Sequence, residues 1–346
     1  FYSILKANNC NSAQLGTMGT ITDSYKSTKT LTTLDPVDLH KKFRDFVNDG
    51  ISHVVMEVSS HALDQHRVAD VDFNIGVFTN LAPEHLDYHI NMKNYFSAKA
   101  KLFKMLNSSN TAIVNYEDKM APSIVKFSKA KVISFSKYRN TTIYLSEVSH
   151  DINGIRLIIN TNGNQIPINS HLIGEYNIEN ILCAVSIALS LGIEPSIIQK
   201  GVEQCDIVPG RMERFNLNNG AKVIIDYAHT PDAYEKALST IQDIKLEESK
   251  IHVLFGCGGD RDRGKRSKMG QIAERFSDKM WIAPDNPRSE NILDINNEII
   301  KNIKTKNFEI FNDREKALRL AIKSLIKDDI LVVLGKGRED FQEIKG

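Results

Sequence analysis

Short apolar runs that break off into polar, glycine- or proline-bearing loops recur through the second half of the chain. They cover residues 222–226, 252–255, 279–283 and 330–334. The loops that follow read Tyr-Ala-His-Thr-Pro, Gly-Cys-Gly-Gly-Asp-Arg-Asp, Pro-Asp-Asn-Pro-Arg and Gly-Lys-Gly-Arg-Glu. Between them, residues 232–241, 267–276, 292–303 and 314–326 show helical periodicity. Strands alternating with helices predict a parallel, doubly wound sheet. Ligands of such sheets bind beyond the carboxyl ends of the strands. All four polar loops belong to that edge.

The first half also reads as α/β. Residues 53–58 and 73–79 form apolar runs with polar loops behind them, followed by a helical stretch at 91–106 and a strand at 111–114. From 131 to 167 the pattern turns to short β-rich runs with Asn153-Gly154 and Asn162-Gly163 turns, which predict hairpins. Residues 177–191 are helical and Gly192 is a stop signal. The Pro209-Gly210 pair interrupts both patterns. The expected domains are therefore 1–208 and 209–346, since 346 residues are more than one domain needs.

Composition narrows the partners. Charged residues make up 25% and the net charge is +1, so no global field draws nucleic acid or an acidic membrane. An anionic substrate has to be held by local groups. Cys10, Cys183, Cys205 and Cys257 form no Cys-x-x-Cys pair, as expected of reduced thiols in a cytoplasmic protein. The longest apolar stretch, 181–193, contains two serines and is too short for a membrane span. No signal peptide is evident, and a monomer without membrane or nucleic-acid partners is expected.

Three features carry candidate chemistry in the first half. Glu57 stands at the end of an apolar strand, a costly place for a carboxylate unless it is paired, metal-bound or at an exposed strand end. Beyond it, Ser59, Ser60, His61, Gln65, His66 and Arg67 supply hydrogen-bond donors suited to a polyanion. The second strand runs into Phe-Thr-Asn-Leu-Ala-Pro-Glu-His-Leu-Asp-Tyr-His, with His85 either a metal ligand or a structural histidine. On the next helix, Met92, Tyr95, Phe96, Leu102, Phe103 and Leu106 share one face with Lys99 in its midst, while Lys93, Lys101 and Lys104 point to solvent. Desolvation of Lys99 would favour its neutral amine, the form that reacts with CO2 to a carbamate. A snorkelling lysine fits the same spacing.

These motifs resemble the central domain of the Mur ligases, in particular the members that add diaminopimelate or lysine. The resemblance runs over nearly the whole chain and implies an ATP-binding central domain followed by a Rossmann-like C-terminal domain. It implies Glu57 on an Mg2+ ion shared with ATP, and His85 with carbamylated Lys99 at a second Mg2+. Thr32, Thr33, Ser59, Gln65 and Arg67 match positions that hold UDP-MurNAc-L-Ala-D-Glu. The Asn177 and Asn180 pair, otherwise readable as helix capping, matches the adenine edge of ATP. Arg211 is implied at the γ-phosphate, reaching across a domain cleft. Asp226 and His229 match the ribose and adenine segment. Arg261, Asp285, Asn286 and Arg288, with Gly335 and Glu339, match positions that bind the incoming amino acid. The Asp-Asn-Pro-Arg loop resembles the diaminopimelate branch, whose arginine holds a far carboxylate that lysine lacks.

The implied reaction is ATP-dependent. The D-Glu side-chain carboxylate takes the γ-phosphoryl group, and the amine of meso-2,6-diaminopimelate then displaces phosphate from the acyl phosphate. Its place is peptidoglycan precursor synthesis. One departure stands out. The family's Gly-Thr-Asn-Gly-Lys-Thr phosphate loop is not among these 346 residues, nor are its uridine-binding domain and its last C-terminal stretch. The 346 residues alone are accordingly expected to be inactive. Other readings are a lysine-adding or folylpolyglutamate-synthase-like ligase, a non-catalytic nucleotide-binding remnant, and, more remotely, a metal-dependent hydrolase.

Overall fold

The computed structural model describes residues 1–25, 31–161, 163–337, 339 and 341–345. Asn162 of the second expected Asn-Gly turn and Arg338 of the last loop lie outside the described residues. The chain forms two compact units. One is Phe1–Ser149, Arg156–Ser170 and Tyr176–Cys205; the other is His150–Ile155, His171–Glu175 and Asp206–Gly346.

The first unit holds α1 (Tyr2–Ala7), β1 (Ser12–Gly16), β2 (Gly19–Ile21), α2 (Pro36–Asn48), β3 (His53–Met56), α3 (Ser60–Asp64), β4 (Ile75–Phe78), α4 (Leu86–His89) and α5 (Met92–Met105). It continues through β5 (Thr111–Asn115), α6 (Ala121–Val125), β6 (Lys131–Ser136), β7 (Ile143–Asp151), β8 (Gly154–Thr161), β9 (Asn164–Ser170), α7 (Tyr176–Ser190) and α8 (Pro195–Glu203). Two sheets result, ordered β2-β1-β3 and β4-β5-β6-β7-β8-β9. Strands β4, β5 and β6 run parallel, as do β1 and β3. Leu39, Phe46, Phe78, Phe103 and Leu106 form the centre of a shared core. The apolar face read for residues 91–106 is buried at Tyr95, Leu102, Phe103 and Leu106. Lys101 departs from the expectation of a solvated lysine: its Nζ lies 2.7 Å from Asp64 Oδ1, because α3 packs beside α5.

The second unit contains β10 (Glu213–Asn216), β11 (Lys222–Asp226), α9 (Pro231–Ile244), β12 (Ile251–Phe255), α10 (Gly264–Phe276), β13 (Lys279–Ile282), α11 (Ile292–Ile300), β14 (Phe308–Ile310), α12 (Arg314–Ser324) and β15 (Ile330–Leu334). Its sheet order is β10-β11-β15-β12-β13-β14, with only β10 antiparallel to its neighbour. The four central strands are those expected from the apolar runs. Apolar side chains fill both faces, Ile224, Tyr234, Phe255 and Ile282 on one and Leu254, Trp281 and Leu331 on the other. That two-sided burial explains why the runs are continuous rather than alternating.

Side-chain caps fix where several helices start and so where the loops before them end. Thr230 accepts from Ala233 N–H at 3.3 Å with Pro231 in the first turn of α9. Asn291, Asp313 and Asn91 do the same for α11, α12 and α5. Among the described residues no helix is long and apolar enough to cross a membrane.

Candidate active site

In the first unit the polar residues beyond β3 gather around Glu57. Its main-chain N–H bonds to Leu15 O at 2.9 Å, continuing the β1–β3 pairing. Its carboxylate accepts from Thr17 Oγ1 at 2.8 Å, and Thr17 Oγ1 lies 3.3 Å from Thr32 Oγ1. Thr33 donates to Glu57 O (2.9 Å) and receives the Ser59 N–H (3.0 Å). Arg67 Nη1 donates to Thr33 O at 3.1 Å, and Arg67 Nη2 donates to Gln65 Oε1 at 2.5 Å. Thr32, Thr33, Ser59, Gln65 and Arg67 thus sit in one hydrogen-bonded cluster with Glu57.

The same strand-to-helix turn leads to the histidines. Ser60 Oγ lies 2.9 Å from His89 Nε2, and the His89 ring stacks on Tyr95 at 5.2 Å. His85 and Lys99 both flank that tyrosine, the imidazole at 6.1 Å from the ring centre and the amine at 5.4 Å. His85 is 43% exposed and takes a left-handed φ of 56° as the residue before α4. Burial lowers the Lys99 pKa, although the charges of Glu84 and Asp118 oppose that shift. The His61 ring lies tilted against Tyr88 at 4.3 Å and edge-on to His85 at 4.8 Å. The sequence singles out none of Thr17, Tyr88, Tyr95 and Asp64 for the site; Tyr88, Tyr95 and Asp64 carry only their proximity to the motif histidines, and Thr17 carries no signal. Among the described residues no three His, Cys, Asp or Glu side chains converge as a metal cage. Mg2+ does not require one, because it usually keeps waters and phosphate oxygens around one or two protein ligands. Carboxylate and imidazole donors, with an amine already inclined to neutrality, fit such an ion.

Asn177 and Asn180 face each other on the first turn of α7, Asn180 Nδ2 donating to Asn177 Oδ1 at 3.0 Å. Next to them Asn115, at the carboxyl end of β5, donates to Glu179 at 3.1 Å. Lys137 lies 3.3 Å from Glu117 and 3.4 Å from Glu179.

In the second unit every expected residue lies at the carboxyl edge of the sheet. Asp226 ends β11 and is 8% exposed. Its carboxylate accepts the Met212 N–H (2.9 Å) and the Ala228 N–H (2.8 Å), so it anchors the loop that carries Arg211. Burial raises its pKa. Arg211 itself is exposed, and its main-chain N–H donates to Val208 O at 3.0 Å. His229 is exposed, with Nδ1 3.0 Å from Tyr227 O.

The loops after β12, β13 and β15 meet. A Cβ built on Gly258 would stand 3.1 Å from Arg288 Nη1 and 3.7 Å from Arg261 Cγ, so the Arg288 guanidinium and the aliphatic stem of Arg261 both lie against this glycine. Arg288 donates to Gly259 O at 2.8 Å, and its Nε pairs with Glu343 at 2.8 Å. Asn286 and Glu339 together hold the Lys336 ammonium, at 2.9 and 3.0 Å. Tyr227 OH donates to Glu339 at 2.5 Å, which pushes the tyrosine pKa up to about 12. Burial works against the charge on Glu339, but Tyr227, Lys336 and Asn286 hold its pKa below the ordinary value. Asp285 is raised by burial, opposed by Arg314 and Lys336. The cluster therefore has one guanidinium that already carries a carboxylate and one carboxylate–amide pair that already carries an ammonium.

Glu290 gives a pH test. Its hydrogen bond from Arg266 pulls its pKa down to about 2 from 4.5. A depressed carboxylate contributes stability that is complete above 4.5 and is lost as pH falls toward 2. Denaturant melts at pH 5 and pH 3 are expected to show a drop that Glu290→Gln reduces.

The Mur ligase middle domain family matches residues 1–188, and the Mur ligase glutamate ligase domain matches residues 210–337. A UDP-N-acetylmuramoyl-L-alanyl-D-glutamate–2,6-diaminopimelate ligase of Geobacter metallireducens is 40% identical over 336 residues, covering 90% of this chain and 65% of that protein. The Clostridium tetani ligase of the same name is 38% identical, covering 96% and 68%. The chain thus spans about two thirds of the length of these relatives. A solved ligase structure of that name superimposes with a TM-score of 0.77 at 29% identity, covering 99% of this chain and 71% of the other. Two family domains in succession and full-length relatives at this identity leave one assignment: the chain belongs to the Mur ligase family.

Proposed function

We propose that the protein is an ATP-dependent amide ligase that joins meso-2,6-diaminopimelate to the D-Glu side-chain carboxylate of UDP-MurNAc-L-Ala-D-Glu, a cytoplasmic step of peptidoglycan precursor synthesis. The names of the relatives support the substrates. One observation of the structure carries the choice of amino acid. Arg288 holds the Glu343 carboxylate while Asn286 and Glu339 hold the Lys336 ammonium. A diamine with a carboxylate at its far stereocentre offers both groups to that loop cluster, whereas lysine offers only the ammonium.

In the first unit, Glu57 would hold one Mg2+, and His85 with Lys99, as its carbamate, a second. Such ions would neutralise phosphate oxygens while the acyl phosphate forms. Thr32, Thr33, Ser59, Gln65 and Arg67 would orient the UDP-linked peptide, with Arg67 pre-set by its bond to Thr33 O. Asn177 and Asn180 would meet the adenine. In the second unit, exposed Arg211 is suited to the γ-phosphate, and Asp226 would act by fixing its loop. His229 would lie near the base. Arg261 and Arg288 would bind the far carboxylate, with Asp285, Gly335 and Glu339 at the amino end. These residues position and stabilise charge, the terms on which phosphoryl transfer depends.

Binding is the test suited to these 346 residues, because they contain no Gly-Thr-Asn-Gly-Lys-Thr loop and ligation by them alone is not expected. Calorimetric titration should show meso-diaminopimelate binding well above L-lysine; equal affinities would remove the assignment. For Lys99, 13C NMR in labelled bicarbonate should show a carbamate signal that Lys99→Ala abolishes. The lowered pKa favours the neutral amine that the adduct requires.

A further inference from the structure

Arg266 belongs to none of the groups assigned above, yet among the described residues it is the largest fully buried side chain, at 0% exposure. It sits in the first turn of α10, and its guanidinium joins three segments. Nη2 donates to Gly258 O at 3.0 Å and to Glu290 Oε1 at 2.8 Å. Nη1 donates to Glu290 Oε2 at 3.0 Å and to Glu298 Oε2 at 2.8 Å. Gly258 lies three residues before Arg261, and Glu290 lies two residues after Arg288. A single buried cation therefore ties together the two loops that carry the paired arginines.

Further bonds close the seam on both sides of it. Glu290 Oε1 also receives the Asp260 N–H at 2.6 Å, and Asp260 accepts from Ser289 N–H (3.0 Å) and Ser289 Oγ (2.7 Å). Gly259 donates its N–H to Asn286 O at 2.9 Å. The approach is so close that a Cβ on Gly259 would lie 1.9 Å from Pro287 O. On the solvent side of the seam, exposed Arg263 adds a second guanidinium, its Nη2 donating to Glu290 Oε2 at 2.9 Å and its Nη1 lying 3.7 Å from Glu298. A buried charge network of this size is costly to assemble and is a weak source of net stability. Its geometric result is definite: it holds together the two loops that carry Arg261 and Arg288.

We propose that Arg266 is a positioning residue for amino-acid selection, holding in place the two loops whose arginines, Arg261 and Arg288, receive the far carboxylate. The inference rests on the assignment of Arg261 and Arg288 to the diaminopimelate site. Bidentate recognition requires planar donors at a fixed spacing, and a lysine ammonium, with three donors on one atom, cannot replace a guanidinium that makes four bonds to Gly258, Glu290 and Glu298. Loosening the seam should weaken the contact to the far carboxylate and leave the amino end, built from Asn286 and Glu339, less affected.

The experiment compares the parent chain with Arg266→Lys and with Asp260→Asn. The second variant alters the exposed end of the same seam without stranding a buried charge. Calorimetry measures meso-diaminopimelate and L-lysine affinity for each, and thermal melts measure folding. Expected is a loss of about tenfold or more in meso-diaminopimelate affinity, with lysine affinity changed less than threefold or so and Asp260→Asn melting as the parent does. An equal loss for both ligands, or no loss in Asp260→Asn, would overturn the proposal, even if Arg266→Lys failed to fold. A parent chain that does not discriminate between the ligands would instead remove the underlying site assignment.

Discussion

Replacing Arg288 by alanine is expected to abolish the preference for meso-diaminopimelate while leaving L-lysine binding unchanged. Truncating one member of a desolvated charge pair costs about 2–5 kcal/mol, and the 20% exposure of the Arg288 side chain places the loss toward the lower end. The backbone contributes nothing to this difference, because φ is 49° and arginine and alanine are similarly disfavoured there. Glu343 would lose its partner as well, but it is 43% exposed and can turn to water. Titration of parent and variant with both amino acids, alongside thermal melts, separates the loss of a ligand contact from a loss of folding. A variant that still discriminates would exclude Arg288 from the carboxylate site.

Gly335→Ala is expected to damage the same cluster through the backbone. Gly335 has φ 103°, which an L side chain rarely adopts, and its Cβ would stand 2.6 Å from Asp285 Oδ2. Strain of this kind costs on the order of 1–3 kcal/mol. Forcing a group into a packed site adds about as much. The loop would have to shift, and with it Lys336 and Glu339. Both meso-diaminopimelate and lysine affinity should therefore fall, in contrast to Arg288→Ala, with the melting temperature falling too. Unchanged affinity for both would show that the loop after β15 is not part of the site.

The contrast between the two units shows what the chain makes legible. Strands β11, β12, β13 and β15 are buried on both faces, so each reads as an unbroken apolar run ending in a polar loop. The edge strands β10, Glu-Arg-Phe-Asn, and β14, Phe-Glu-Ile, are short and partly polar, and no run marks them. In the first unit β1 reads Ser-Ala-Gln-Leu-Gly, a buried strand with few apolar residues. Its neighbour α2 was missed because its apolar positions are sparse among charges, although Asp35 and Pro36 mark its start.

The candidate residues follow the same logic. Lys99 was readable because one charge stood within an apolar face. Arg266 was not, since an arginine at a helix start in a charged stretch looks solvated, and only its partners 24 and 32 residues away bury it. Asp226 was legible as a strand-end carboxylate, but not its two main-chain donors. One comes from a left-handed turn at Met212, φ 44°, that no pattern announces, and the other from Ala228 in the loop behind the strand. The Lys336 and Glu343 contacts were equally hidden, because each depends on loops that only the sheet brings together.

The most direct measurement is a crystal structure of the chain with meso-diaminopimelate. Arg288 should exchange Glu343 for the far carboxylate of the ligand, and Asn286 and Glu339 should exchange Lys336 for its ammonium. A ligand bound elsewhere, or both internal pairs intact at saturating ligand, would contradict the assignment of this sheet edge to a doubly acidic diamine.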